Sequence, residues 1–225
     1  MGHRHLSQYV SDSAIAQRAL DEEITLPVGS ALADERDPVD LARSHLYGML
    51  AVLFERAPTA TTLAALAGVE GGQGDLGLAC RALAEKASAA VPAALEREYF
   101  DLFIGVGRGE LVPYGSYYLT GFLQEKPLAR LRQDLGELGI ERLPGTTEFE
   151  DHIATVCEIL SGLADGRFGT PKGADERFFV QHLQPWGARF FADVSAAKAS
   201  NFYKHVAAVG LALMAIEAEA SVRAA

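Results

Sequence analysis

The stretch DPVDLARSHLYGMLAVLFER, residues 37–56, indicates how this chain folds. Asp37 is a typical helix N-cap, and Pro38 follows at the first helical position, where a missing N–H costs nothing. The apolar residues beyond it recur at three- and four-residue intervals, the period of an amphipathic helix. They are Leu41, Leu46, Met49, Leu50, Leu53 and Phe54. The stretch therefore predicts a helix that ends near Arg56.

Helical patterns continue along the rest of the chain. They cover residues 59–67, 75–90, 128–138, 176–183 and 186–197, and others begin at Pro92, Tyr114, Thr147 and Ser200. Thr147 and Glu150 have the spacing of a capping box, so we predict a helix start at Thr147. Ser200 is the predicted cap of the last helix. Because no alternating strand of useful length occurs, we predict an all-α fold, a single globular bundle of about nine or more helices.

The N-terminal part of the chain is patterned differently from the rest. Residues 1–36 lack a sustained apolar period and are interpreted as an extension or packing arm, while residues 37–225 form the helical domain. Within that domain a long loop is expected at 104–115, with glycine at 105, 107 and 109. Loops of this length inside a helical bundle are commonly functional or hinge-like.

Charge and cysteine usage limit the classes of function. The chain has 20 basic and 30 acidic residues, a net charge of −10. This balance argues against a non-specific nucleic-acid binder but permits a basic peptide as partner. Cys80 and Cys157 belong to no CxxC pair, so we expect neither a disulfide framework nor a zinc site, in keeping with a reducing compartment. With no run of 18 apolar residues and no signal core, we expect neither stable membrane insertion nor secretion.

Motifs of catalysis or cofactor binding are incomplete in this sequence. Gly105, Gly107 and Gly109 follow a predicted helix instead of a strand, so they do not complete a dinucleotide fingerprint, and no P-loop occurs. Ser116 lacks the second glycine of a nucleophile elbow. The six histidines include no HExxH pair. We therefore expect no enzyme activity and no built metal site.

The densest polar cluster is Glu148-Phe149-Glu150-Asp151-His152. Acids in a first helical turn stabilise the positive end of the helix dipole, which is one explanation of this cluster. The alternative is a site for a cationic group, with the acids and the histidine beside an aromatic ring. Aromatic residues around the 104–115 loop likewise either pack in the core or line a groove.

Three stretches, in this order, resemble the TorD-like chaperones, a family of cytoplasmic redox-enzyme maturation proteins. They are Tyr99-x-x-Leu102-Phe103-x-Gly105, Pro113-Tyr114-Gly115-Ser116-x-Tyr118-Leu119 and Glu148-Phe149-Glu150-Asp151-His152, the last similar to the family's E-P-x-D-H signature. Phe178-Phe179-x-x-His182-Leu183-x-x-Trp186 adds weaker support. Phe149 stands where the family has proline, and it keeps a donor N–H and adds bulk.

The resemblance implies a cytoplasmic, all-helical chaperone without a cofactor. Such a protein binds the twin-arginine leader, the apo catalytic subunit, or both, of a molybdenum- or tungsten-pterin oxidoreductase, aids cofactor insertion and delays export. The leader-binding residues that the resemblance implies are Tyr99, Leu102, Phe103, Pro113, Tyr114, Ser116, Tyr118, Asp151 and His152. We add Glu148 to this set as a further candidate. We expect Asp151, with Glu148, on the arginine side, His152 orienting the carboxylate or bonding leader backbone, and the aromatic residues on the apolar side.

Two other functions stay open at this point. One is a GTP-binding regulatory protein that uses the glycine-rich loop, and the other is an assembly adaptor that ignores any leader. The same loop is also a possible hinge for domain swapping, so we expect a monomer or a domain-swapped dimer.

Overall fold

The first long helix, α1 (Pro38–Glu55), begins as its sequence predicts. In this computed structural model, which describes residues 4–5, 37–141 and 148–224, the Asp37 carboxylate accepts from the backbone N–H of Val39 at 2.9 Å. The buried face runs through Ser44, Tyr47, Leu50 and Phe54. Leu41, predicted on this face, is 42% exposed, because the first turn extends past the helices that cover the rest.

Nine further α-helices follow in the described residues. They are α2 (Ala60–Ala67), α3 (Asp75–Ser88), α4 (Pro92–Tyr99), α5 (Gly115–Thr120), α6 (Lys126–Leu138), α7 (Ile153–Ala164), α8 (Ala174–Phe178), α9 (Gly187–Ala196) and α10 (Tyr203–Ala224). Two π-helical turns, π1 (Phe100–Ile104) and π2 (Phe179–Leu183), extend α4 and α8. Two-residue strands, β1 (Arg4–His5) and β2 (Ile140–Glu141), pair in parallel. The predicted all-α class is thus confirmed.

The centre of the bundle is α7. Nine of its twelve residues are buried, among them Ile153, Val156, Leu160 and Leu163. It packs mainly against α1, while α10 packs against α9 and α3. A helix buried over most of its surface carries apolar side chains beyond a single stripe, as this one does, and Glu158 occupies a half-buried position on it.

The start of α7 differs from the prediction. Glu148 and the residues up to His152 precede the helix, which begins at Ile153, and Thr147 lies outside the described residues. The N-cap is His152, whose Nδ1 accepts from Ala154 N–H at 3.2 Å. Residues 150 and 151 form a turn, in which His152 N–H donates to the Phe149 carbonyl at 3.1 Å, and an antiparallel bridge pairs His152 with Tyr114. Contacts with a distant segment therefore prevail over the local capping pattern.

The predicted cap of α10 is also wrong. The hydroxyl of Ser200 has no hydrogen-bond partner among the described residues. Instead Oε1 of Glu98, on α4, accepts the backbone N–H groups of Asn201, Phe202 and Tyr203, each at 2.8 Å. A buried carboxylate at the positive end of a helix dipole satisfies three free donors at once. The cap therefore comes from more than a hundred residues away in sequence, where local spacing cannot reveal it.

The glycine-rich connection between π1 and α5 folds back onto the π-helical turn. Glu110 and Leu111 N–H groups donate to the carbonyls of Asp101 and Leu102, at 3.1 and 2.8 Å. A Cβ at Gly105, where φ is +63°, would lie 2.0 Å from the Arg108 carbonyl oxygen. These contacts explain glycine in the loop by close backbone approach.

One helix meets the length and composition of a membrane span. It is Tyr203–Arg223, within α10, and 39% of its apolar window is buried. Lys204, Glu217 and Glu219 interrupt the apolar run of this helix, so the sequence contains no unbroken apolar stretch of that length. Val206 and Val209 of this helix are fully buried, as expected of a core helix. The predicted arm at 1–36 lies outside the described residues except for Arg4–His5.

Candidate functional site

Two segments predicted to form the site are joined through their backbones. Besides the bridge between Tyr114 and His152, Gly115 N–H donates to the Asp151 carbonyl and Ile153 N–H to the Pro113 carbonyl, each at 2.9 Å. The start of α5 and the start of α7 therefore lie side by side. This brings together two of the three stretches that carry the family resemblance.

Asp151 lies at the centre of this junction. Its side chain is 4% exposed, and Oδ2 accepts from Ser116 N–H at 2.7 Å. The carboxylate thus caps α5, and the predicted placement of Asp151 and His152 on one helical turn is wrong because both precede α7. The other oxygen, Oδ1, is buried without a hydrogen-bond partner among the described residues. An unpaired buried carboxylate oxygen is costly and points to a donor supplied from elsewhere.

Tyr114 and Glu148 form the solvent-facing side of the junction, and the buried His152 packs against Tyr114. The Tyr114 hydroxyl donates to Oε1 of Glu148 at 2.6 Å, and its ring lies 5.1 Å from that of His152 and 6.1 Å from that of Phe149. Burial, and then the bond to Glu148, raises the pKa of Tyr114. Glu148 itself is exposed. The result is an exposed carboxylate fixed beside aromatic rings.

His152 is 6% exposed and its ring is held by backbone. Burial lowers its pKa, although the carboxylates of Glu148 and Asp151 oppose that effect. Since Nδ1 accepts from Ala154, the neutral ring carries its proton on Nε2. His152 is thus a positioned donor, which keeps open the predicted hydrogen bond to leader backbone.

Tyr99 borders the same face, whereas its neighbours on π1 serve the core. The Tyr99 hydroxyl donates to the carbonyls of Phe54 and Glu55, at 3.1 and 2.8 Å. Burial, followed by the charges of Glu148 and Glu55, raises its pKa to about 12. Leu102 is fully buried, and Phe103 packs edge-on against Phe54 at 5.7 Å.

The remaining predicted residues are divided between the interior and another face. Pro113 and Ser116 are buried, and the Ser116 hydroxyl has no hydrogen-bond partner among the described residues. Tyr118 packs against Trp186 at 5.7 Å and donates to Oδ2 of Asp193 at 3.1 Å. Of the ten predicted residues, Glu148 is exposed at the junction, Tyr99 and Tyr114 are half-buried there, and His152 lies beside them but is buried.

Sequence reasoning missed a second acidic group close to Asp151. Nε2 of His182, on π2, lies 2.6 Å from Oδ2 of Asp134 on α6. Both residues line a pocket of about 330 Å³ together with Asp151 and Trp186. The sequence feature that could have indicated this group is the stretch from His182 to Trp186, which was taken only as weak support for the family resemblance.

Groups suited to metal binding or redox chemistry are few in the described part of the chain. No cluster of three or more His, Cys, Asp or Glu residues suits a metal ion within residues 37–141 and 148–224. Cys80 and Cys157 are free and buried. Burial raises the pKa of both thiols, which keeps them protonated and unreactive.

The fold and site together define an all-helical binding protein with an acidic and aromatic surface. The chain belongs to the nitrate reductase delta subunit family, whose model matches residues 70–192, and the predicted family resemblance is confirmed. Chaperone protein TorD of Vibrio cholerae (strain N16961) is 29% identical over 129 residues, 53% of this chain and 59% of that protein. The chain thus spans somewhat more than half the length of this relative.

Two further comparisons cover more of the chain. Chaperone protein TorD of Shewanella loihica is 25% identical over 209 residues, 83% of this chain and 96% of that protein. A crystal structure of a candidate redox enzyme maturation protein from Archaeoglobus fulgidus shares the fold, with a TM-score of 0.57 and 19% identity over 86% of this chain and 99% of that one. The relatives are named chaperones, in agreement with the expectation that the chain is not an enzyme.

Proposed function

We propose that this chain is a cytoplasmic chaperone for a molybdenum- or tungsten-pterin oxidoreductase. It binds the twin-arginine leader of the catalytic subunit, keeps that subunit from export and aids insertion of its cofactor. Family membership and the names of the relatives support the chaperone role. Recognition of the leader is argued from the site itself.

The observation that carries this proposal is the exposed carboxylate of Glu148, fixed by the Tyr114 hydroxyl at 2.6 Å beside two aromatic rings. A leader with two arginines followed by an apolar stretch offers guanidinium donors and apolar side chains in sequence. Carboxylates accept guanidinium through charge-assisted hydrogen bonds, and tyrosine rings take apolar groups. His152, with its proton on Nε2, supplies a donor for a leader carbonyl.

The acidic balance of the whole chain supports the same partner. A net charge of −10 attracts a basic peptide and raises its rate of association. The nucleotide alternative draws no support from the glycine-rich loop, because close backbone contacts explain Gly105 and Gly109, and a left-handed φ of +89° explains Gly107.

Substitution of Glu148 tests the proposed leader site. Glu148→Gln should weaken binding of a synthetic twin-arginine peptide about fivefold in a calorimetric titration, because an exposed ion pair contributes up to ~1 kcal/mol. Glu85→Gln removes the same charge from the exposed surface of α3 and should leave the affinity unchanged. Equal affinities for the wild type and Glu148→Gln would contradict the assignment.

Co-purification separates leader recognition from the adaptor alternative. The tagged chain is expressed in its native host, and the bound oxidoreductase subunit is identified by mass spectrometry. The subunit with its leader should be retained at least about tenfold better than a leader-deleted version, in line with charge-assisted bonds to both arginines. Equal retention of the two versions would favour the adaptor.

A further inference from the structure

Most residues that line the pocket behind Asp151 lie outside the predicted leader-binding set. The pocket lies between α5, α6 and π2 and has a volume of about 330 Å³. Asp151 lines it, whereas Tyr114, Glu148 and His152 do not. Asp151 is thus the point at which the exposed junction and this pocket meet.

Two carboxylates give the pocket its charge. Oδ1 of Asp151 is buried and has no hydrogen-bond partner among the described residues, while Oδ2 is committed to Ser116. The Oδ2 atom of Asp134 forms a hydrogen bond with Nε2 of His182 at 2.6 Å. Its Oδ1 makes no hydrogen bond to the part of the chain that the structure describes. Each carboxylate therefore has one oxygen able to accept a further donor.

Nearby cationic groups leave this negative charge largely uncompensated. Burial lowers the pKa of His182 even though Asp134 opposes the effect, so the ring is neutral at pH 7 and donates from Nε2. Arg130, which is exposed, is the one permanently charged basic residue among those lining the pocket. Two carboxylates thus face one guanidinium from the chain itself.

The rest of the lining combines a buried apolar floor with two side-chain amides, those of Gln133 and Gln181. Trp186 is 2% exposed, and its Nε1–H donates to the His182 carbonyl at 2.6 Å. Gly115 allows the start of α5 to approach the indole, since a Cβ there would lie 3.0 Å from Nε1. An apolar floor strengthens an ionic hydrogen bond and suits the aliphatic part of a long basic side chain.

We propose that this pocket binds the guanidinium of a partner arginine, with Asp134 and Asp151 as its acceptors and Trp186 as the apolar floor. The planar guanidinium presents several N–H donors in a fixed fork and reaches two carboxylates at once, whereas a lysine ammonium is a compact, strongly hydrated charge. The pocket thereby discriminates arginine from lysine. The source of this arginine, one of the two in the leader, rests on the proposed function.

The single tryptophan of the chain makes the pocket directly observable. The full chain is titrated with N-acetyl-arginine amide and, separately, with N-acetyl-lysine amide, and the indole N–H resonance of Trp186 is followed by NMR. Twin-arginine and twin-lysine peptides are then compared by calorimetry. We expect the arginine probe alone to shift the resonance, and the twin-arginine peptide to bind at least about tenfold more tightly than the twin-lysine peptide.

Asp134→Asn is the decisive variant because, unlike Asp151, Asp134 caps no helix. It should abolish the Trp186 shift and the preference for arginine over lysine, whereas Glu137→Gln, which removes the same charge from the exposed side of α6, should preserve both. An unperturbed Trp186, or an arginine preference that survives Asp134→Asn, would overturn the pocket even if the leader binds. A Trp186 response to the arginine probe without leader binding would keep the pocket and refute the proposed function.

Discussion

Single carboxylates decide where helices start in this protein. Glu98 caps α10 and Asp151 caps α5, each from a distant segment. In the sequence, both residues resemble ordinary acids on helical stretches, and only the fold reveals what they accept. Asp37, by contrast, caps its own helix and is recognisable from the Pro38 that follows. Local caps are therefore predictable from sequence, whereas caps supplied across the fold are not.

Removal of the Glu98 carboxylate should destabilise the whole chain. Glu98→Ala leaves three N–H groups at the start of α10 without their acceptor, so we expect the free energy of unfolding to fall by about 1–3 kcal/mol. Urea denaturation followed by circular dichroism measures the change. Glu96→Ala, at an exposed position on the same helix, should stay within about 0.5 kcal/mol of the wild type. Equal effects of the two substitutions would refute the cap.

Glu158 should make stability depend on pH. Burial, and then the charge of Glu55, raises the pKa of Glu158 to about 7 from 4.5, with Arg167 opposing. Between these values the folded state holds a proton that the unfolded state releases, so stability falls as pH rises from about 4.5 to about 7. Glu158→Gln removes this contribution.

The difference in unfolding free energy between Glu158→Gln and the wild type isolates that effect from the histidines. We expect the unfolding free energy of the variant, relative to that of the wild type, to rise by about 1 kcal/mol or more as pH rises through this window. Urea denaturation at a series of pH values measures it. A difference that does not vary with pH would show that Glu158 titrates like an ordinary carboxyl.

At the scale of elements, Arg43 ties α1 to two other helices. Its guanidinium donates to both carboxylate oxygens of Glu217 on α10, from Nε to Oε1 at 2.6 Å and from Nη2 to Oε2 at 2.8 Å. The third nitrogen, Nη1, donates to Oδ2 of Asp175 on α8 at 2.6 Å. Glu217 is 4% exposed. A buried two-pronged pair of this kind fixes how the three helices sit together.

Arg43→Lys should show that the shape of the guanidinium matters as well as its charge. Lysine cannot reach both oxygens of Glu217 and Asp175 together, so we expect a loss of about 2–4 kcal/mol in the free energy of unfolding. Arg56→Lys is the matched control, because Arg56 is 61% exposed and, within the described residues, its ion pair is with the neighbouring Glu55. The interpretation fails if both variants unfold at the same urea concentration.

The helices themselves follow closely from sequence, but the segment that matters most does not. The period of three and four residues located α1, α2 and α3, and Gly139 ends α6 in the left-handed conformation that its sequence predicts. The capping-box spacing of Thr147 and Glu150 predicts a helix through the cluster from Glu148 to His152. Backbone pairing with the segment around Tyr114 instead places this cluster before α7, and such long-range pairing leaves no local pattern.

At the scale of the molecule, the buried core and the acidic surface serve different purposes. The core, centred on α7, holds the starts of α5 and α7 together, so Asp151 faces a pocket on one side and Glu148 faces solvent on the other. The predicted leader residues that proved buried, such as Leu102, maintain this arrangement. Exposure could not be inferred from motif membership alone, since a family signature mixes residues that bind with residues that pack.

Recognition of paired arginines by this chain, as proposed above, can be measured by calorimetric titration. The full chain is titrated with a twin-arginine leader peptide and with the same peptide carrying glutamine at both arginine positions. We predict one twin-arginine peptide per chain, with an affinity at least about tenfold above that of the glutamine peptide, because each charge-assisted hydrogen bond contributes ~1.5 kcal/mol or more. Equal binding of the two peptides, or no binding of either, would contradict the account.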